Sequence, residues 1–166
     1  MMKQCVAAAF FLFVLAGCTT NSAANDIYLI PQNYEGNVYA FYNVKGAPEI
    51  QKEGDYQVYT INEEGYFATS TPDMDYRLVT DKYYYVDENG ERTRINEDCV
   101  RGMGAGSFEN GPESVNQIKI KYTGIEVTKN RCGQEFKDSG NGMAQDDVEP
   151  VLAKVVARYY GVDLIE

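Results

Sequence analysis

The run Val38-Tyr-Ala-Phe-Tyr42 constrains the fold more than any other feature, because its consecutive apolar side chains leave neither face of a short element suited to water. Such a run predicts a strand covered on both sides. The neighbouring segments agree. Asp26-Ile-Tyr-Leu-Ile-Pro31 reads as a strand whose Pro31 marks an edge or an end. Tyr56 to Ile61 and Tyr66 to Thr69 flank Asn62-Glu-Glu-Gly65, a four-residue hairpin loop with glycine at its close. Tyr83-Tyr-Tyr-Val86 and Arg92-Thr-Arg-Ile95 flank a second turn, in which Asn89-Gly90 supplies positive φ angles. Two hairpins predict an antiparallel sheet.

The pattern weakens between Asp98 and Ser114, where Gly102, Gly104, Gly106 and Gly111 predict a long loop pinned by Cys99. Alternation returns at Gln117-Ile-Lys-Ile-Lys-Tyr122, with Ile118, Ile120 and Tyr122 inward, and Ile125 to Thr128 continues the strand past a bulge at Gly124. Lys137 to Gly142 reads as loop. Val148, Val151, Leu152, Val155, Val156 and Tyr159 then recur at spacings of three and four and predict a helix over 147–160 that packs on the sheet. Asp147 is its expected N-cap, Pro150 its first turn and Gly161 its left-handed terminator. The fold class is therefore mainly β, an antiparallel sandwich or sheet with one C-terminal helix.

The start of the chain does not belong to that fold. Lys3 precedes the apolar run Val6 to Leu15, which is far shorter than the roughly 20 residues a membrane span needs. Leu15-Ala16-Gly17-Cys18 follows and resembles the bacterial lipobox, which implies removal of residues 1–17 and a diacylglycerol and fatty acid on Cys18. An ordinary secretory cleavage site beside a cysteine is the alternative. Residues 18–25 form a small polar tether of at most about 25 Å, and 26–166 suit one domain. Thr19 rather than Asp after Cys18 implies, by the same resemblance, the periplasmic face of the outer membrane in a host with two membranes.

Of four cysteines, Cys5 leaves with the leader and Cys18 takes the lipid. Cys99 and Cys132 remain, for one disulfide or two separate thiols. With no histidine and no paired C-x-x-C, zinc binding and imidazole catalysis are excluded, and no Ser-x-x-Lys replaces them. The carboxylates at Asp73 and Asp75, at Asp87, Glu88 and Glu91, and at Asp146 and Asp147 offer acid–base pairs for glycoside cleavage or a calcium site, but turns and a helix start also explain them. Gly102-Met-Gly-Ala-Gly-Ser107 lacks the third glycine of a dinucleotide loop. Fourteen tyrosines and no tryptophan suit sheet faces, and also stacking on sugars or a protein partner. The formal charge of −10 disfavours nucleic acid and favours basic partners.

Ile30-Pro-Gln-Asn-Tyr34, Gly36-Asn-Val38, Tyr42-Asn-Val-Lys-Gly-Ala-Pro48, Glu53 and the Tyr83 to Arg92 hairpin resemble an uncharacterised domain family of small secreted bacterial proteins and lipoproteins, over about Ile27 to Ile95. The family brings no catalytic residue with it. A fainter likeness to transthyretin-like sandwiches bears on fold alone. These readings lead to a membrane-anchored envelope lipoprotein with a non-enzymatic structural or binding role. The alternatives are an inhibitor or immunity lipoprotein against a basic envelope enzyme such as a lysozyme, and a carboxylate-based hydrolase.

Overall fold

The structure, a computed structural model, describes residues 25–75, 80–110 and 117–164. Nine strands and two helices follow one another: β1 Asn25–Pro31, β2 Gly36–Tyr42, β3 Gln51–Glu53, β4 Tyr56–Thr60, β5 Tyr66–Ala68, β6 Lys82–Val86, β7 Arg92–Arg94, β8 Val100–Asn110, β9 Ile118–Val127, α1 Gln134–Asp138 and α2 Gln145–Tyr160. One sheet has the order β3-β4-β1-β6-β7 and the other β5-β2-β9-β8. With α2 outside the second sheet, the molecule has three layers and two cores.

β2 explains why. Val38, Ala40 and Tyr42 face the first sheet and pack with Tyr28, Ile30, Tyr59, Ile125 and Val127. Tyr39 and Phe41 face the helix and pack with Ile120, Val148, Leu152, Val155 and Val156. All five residues of the run are at most 2 % exposed, as a strand covered on both sides requires.

The strand pairing is mixed rather than wholly antiparallel. β1 runs parallel to both β4 and β6, and β5 runs parallel to β2. The cause is the path of the chain, which leaves each sheet and later returns to it, so that β5 re-enters beside β2, and β6 beside β1, in the same direction. The Asn62–Gly65 turn forms, with Asn62 N donating to Tyr66 O at 3.0 Å and Gly65 N to Asn62 O at 3.0 Å. It is a corner between sheets, however, and not a hairpin within one. Ile61 on its near side enters the inter-sheet core, and Tyr66 on its far side lies under α2. Glycine is required at the corner: at φ +80° a Cβ on Gly65 would overlap the Tyr34 hydroxyl and lie 2.8 Å from Asn37 O. The second turn is a true hairpin, β6 pairing antiparallel with β7.

Four further expectations are corrected. Asp98 to Asn110 is not a loop: a single turn at Glu97–Cys99 leads into the edge strand β8, and residues 111–116, the rest of the expected loop among them, lie outside those described. Its glycines hid the alternation because a glycine shows no inward or outward preference. Gly106 is needed there, since a Cβ would lie 2.6 Å from the ring of its cross-strand neighbour Tyr122. The irregularity expected at Gly124 falls on the partner strand, between Gly102 and Gly104. Lys137 and Asp138 belong to α1 rather than to a loop. Finally, α2 starts at Gln145 with Ala144 as its N-cap, so Asp147 lies inside the first turn and Pro150 is the sixth helical residue. Asp146 and Asp147 there complement the helix dipole without capping through a side chain. Gly161 ends the helix at φ 67°, as expected.

An ion pair reports on the curvature of the first sheet. Arg92 on β7 meets Glu53 on β3 at 2.9 Å, although these are the two edge strands. Five flat strands would span about 19 Å, so the sheet coils strongly enough for its edges to meet.

Candidate functional site

The residues singled out in the sequence do not converge. Leu15, Ala16, Gly17 and Cys18 lie outside the described residues. Cys99 and Cys132 are joined, S–S 2.02 Å, and tie the turn before β8 to the segment before α1. Asp73 pairs with Lys121. Asp87 organises its hairpin turn, accepting from Asn89 N at 2.9 Å and Glu91 N at 2.8 Å, which holds its carboxyl below the usual range. Asp146 and Asp147 belong to α2, on another layer. Among the described residues no three cysteine, aspartate or glutamate side chains form a metal-binding group.

The structure assembles a different set. β4, β1 and β6 are parallel and in register, so Tyr59, Tyr28 and Tyr83 lie at one level. Their rings stack towards the inter-sheet core, Tyr28–Tyr59 at 4.9 Å and 11°, Tyr28–Tyr83 at 5.3 Å and 27°. Tyr42 reaches in from β2 and donates to the Tyr59 hydroxyl at 3.2 Å. Continued back one residue from Ile27 and Lys82, the same register places Asp26 beside Asp81, about one strand spacing of 4.8 Å apart.

This carboxylate pair lacks a described cation. Asp26 is 8 % exposed. Burial, then the charges of Asp81 and Asp75, push its carboxyl up to about 7, against a weaker opposing effect of the Tyr59 hydroxyl. Asp81 accepts from the Tyr83 hydroxyl at 3.1 Å and is likewise raised by burial. One oxygen of each, Asp26 Oδ1 and Asp81 Oδ1, is buried without a hydrogen-bond partner. Burial and the two carboxylates also hold Tyr59, Tyr28 and Tyr83 protonated well beyond the ordinary tyrosine range.

A sequence signal for this set exists. Asp26-Ile-Tyr28 and Asp81-Lys-Tyr83 repeat one Asp-x-Tyr step, and Gln57-Val-Tyr59 is its neutral counterpart. Only parallel, in-register strands bring the three together, so an antiparallel expectation conceals it.

The opposite ends of the same strands form an open groove of about 540 Å³. Pro31 ends β1 there and Asn33 follows it, Thr60 and Glu63 come from β4 and its corner, and Asp87 and Glu88 from the β6 hairpin. Its charged lining is wholly acidic. Neither Asp26 nor Asp81 lines it.

Two mixed sheets, a helix on the outer face of one, the Cys99–Cys132 disulfide and an acidic groove at parallel strand ends define a small β-sandwich domain. Residues 22–136 match a family of unknown function (DUF6843), and the chain belongs to that family. The matched region runs past Ile95 through the disulfide and stops before α2. Among solved structures, the chain is similar to a Bacillus anthracis protein provisionally named a lipoprotein, known from a crystal structure at 2.75 Å. Identity is 32 % and the TM-score 0.70, over 82 % of this chain and 97 % of that one. A comparison with curated proteins finds no match. No helix among the described residues is long and apolar enough to cross a membrane.

Proposed function

We propose that the chain is an envelope lipoprotein, anchored by acyl chains on Cys18, whose β-sandwich is a non-enzymatic binding module. The leader ending Leu15-Ala16-Gly17-Cys18 supports the anchor, and the similarity to the B. anthracis protein agrees with it. One acyl chain binds a bilayer only marginally, whereas two or three, at about 0.8 kcal/mol per buried methylene, hold firmly.

The observation that carries the binding role is the course of β1. The tether from Cys18 enters this strand at Asn25, and the groove begins where the strand ends, at Pro31. Seven extended residues separate the two by about 20 Å, so the groove opens on the side away from the anchored end. Its acidic rim at Glu63, Asp87 and Glu88 favours a basic partner, in keeping with the chain's charge of −10. That rim is the feature favouring the second reading, an inhibitor of a basic envelope enzyme such as a lysozyme.

Fractionation of cells carrying Cys18→Ser tests the anchor: the protein is expected to leave the membrane for the soluble fraction, and unchanged fractionation contradicts the proposal. Crosslinking from the groove in intact cells tests the module. A basic protein captured by the native rim and lost on Glu63→Lys/Glu88→Lys supports it, and capture indifferent to that reversal overturns it.

A further inference from the structure

Burying two carboxylates side by side demands compensating charge, from a basic side chain, from protons or from a bound cation. This chain uses the first device elsewhere: Glu126, 9 % exposed, is held by Arg101 Nε at 2.8 Å and Arg131 Nη2 at 2.8 Å. At Asp26 and Asp81 no described basic side chain plays that part. Among the described residues, the groups that act on the pair are the Asp75 carboxylate, itself engaged with another group, and the hydroxyls of Tyr28, Tyr59, Tyr42 and Tyr83, which offer neutral oxygens. Asp26 is 8 % exposed, and its unpartnered Oδ1 is matched by that of Asp81 on the adjoining strand. Asp81 is half-buried, which leaves a route in from the beginning of β6.

We propose that Asp26 and Asp81 form a binding site for a hard cation of the calcium class. Their free Oδ1 atoms are its charged ligands, and the neighbouring tyrosine hydroxyls contribute neutral oxygens. Hard cations take oxygen ligands with flexible geometry, and extracellular calcium modules bind at roughly 10⁻⁴–10⁻³ M, the range suited to two carboxylates. A cation competes with protonation of the pair, so affinity rises with pH. The inference does not rest on the anchor or the groove: Asp26 follows the tether directly, but its carboxylate needs no lipid to bind a cation, and neither aspartate lines the groove.

Terbium luminescence on the full chain in detergent provides the test. The protein has no tryptophan, so emission sensitised through the protein must come from tyrosine, and Tyr28, Tyr59 and Tyr83 adjoin the site. At pH 8 the expected result is saturable sensitised emission that calcium displaces. It should fall at least about tenfold in Asp26→Asn/Asp81→Asn and persist in the surface control Glu109→Gln. Millimolar calcium should also raise Tm by about 3 °C in the native chain and leave the double variant unchanged. Emission equal in native and double variant, or not displaced by calcium, overturns the proposal. If the double variant fails to fold, Asp81→Asn alone and titration of the native chain at pH 5 serve instead. Loss of binding in both is expected, and retention in either contradicts the site.

Discussion

Two buried acidic sites, one at each end of the sandwich, solve the same electrostatic problem differently. Glu126 lies beside the disulfide, where two arginines neutralise it and the Phe136 ring lies against both guanidiniums, at 4.9 and 5.5 Å. Asp26 and Asp81 have hydroxyls and another carboxylate around them instead. A compensated charge serves the fold and has no further business with solvent. Among the described residues no basic side chain compensates the pair, so on the inference drawn above the fold responds there to a bound cation, and the difference separates a structural site from a responsive one.

The largest effects are expected at the compensated end. Reduction of Cys99–Cys132, which closes 33 residues, should cost about 3–4 kcal/mol on the chain-entropy account, read as a lower denaturant midpoint. Arg101→Ala should cost about 3 kcal/mol by leaving Glu126 to the exposed Arg131 alone. A loss below about 1 kcal/mol would mean that Glu126 is not truly desolvated, and the contrast would fail.

At the uncompensated end the sign reverses. Asp26→Asn should stabilise the protein at pH 8 by roughly 2 kcal/mol, below the ceiling of about 4 kcal/mol set by a carboxyl moved from 3.8 to about 7. The smallest effect is expected where neither argument applies. Arg92→Ala removes an exposed ion pair and should change stability by less than about 1 kcal/mol, although it joins the two edges of the coiled sheet.

The same contrast shows what the sequence reveals. Elements with a strong period are legible: the doubly covered β2, the Ile118–Tyr122 alternation and the apolar stripe of α2 all appear where the pattern puts them. The pairing of the cysteines is one of two alternatives the sequence leaves open. Sheet membership is not legible, because the Asn62–Gly65 turn chemistry is the same for a hairpin and for a corner between sheets. β8 is masked by its glycines, whose role depends on a partner strand such as the one carrying Tyr122. The Asp26–Asp81 pair is the most deeply hidden, since it exists only once distant Asp-x-Tyr steps are aligned in parallel.

The pH dependence of stability, measured for the native chain and for Asp26→Asn, tests the uncompensated pair most directly. A carboxyl raised in the folded state contributes stability that is fully present below about 4 and lost as pH rises through about 7. The lowered carboxyls of Glu35, Glu64 and Asp87 act in the opposite direction, their contribution being lost as pH falls below about 4.5, and they are common to both proteins. The native chain should therefore lose stability relative to Asp26→Asn between pH 4 and 7, with the difference levelling off above. Parallel curves for the two proteins across that interval would contradict the account.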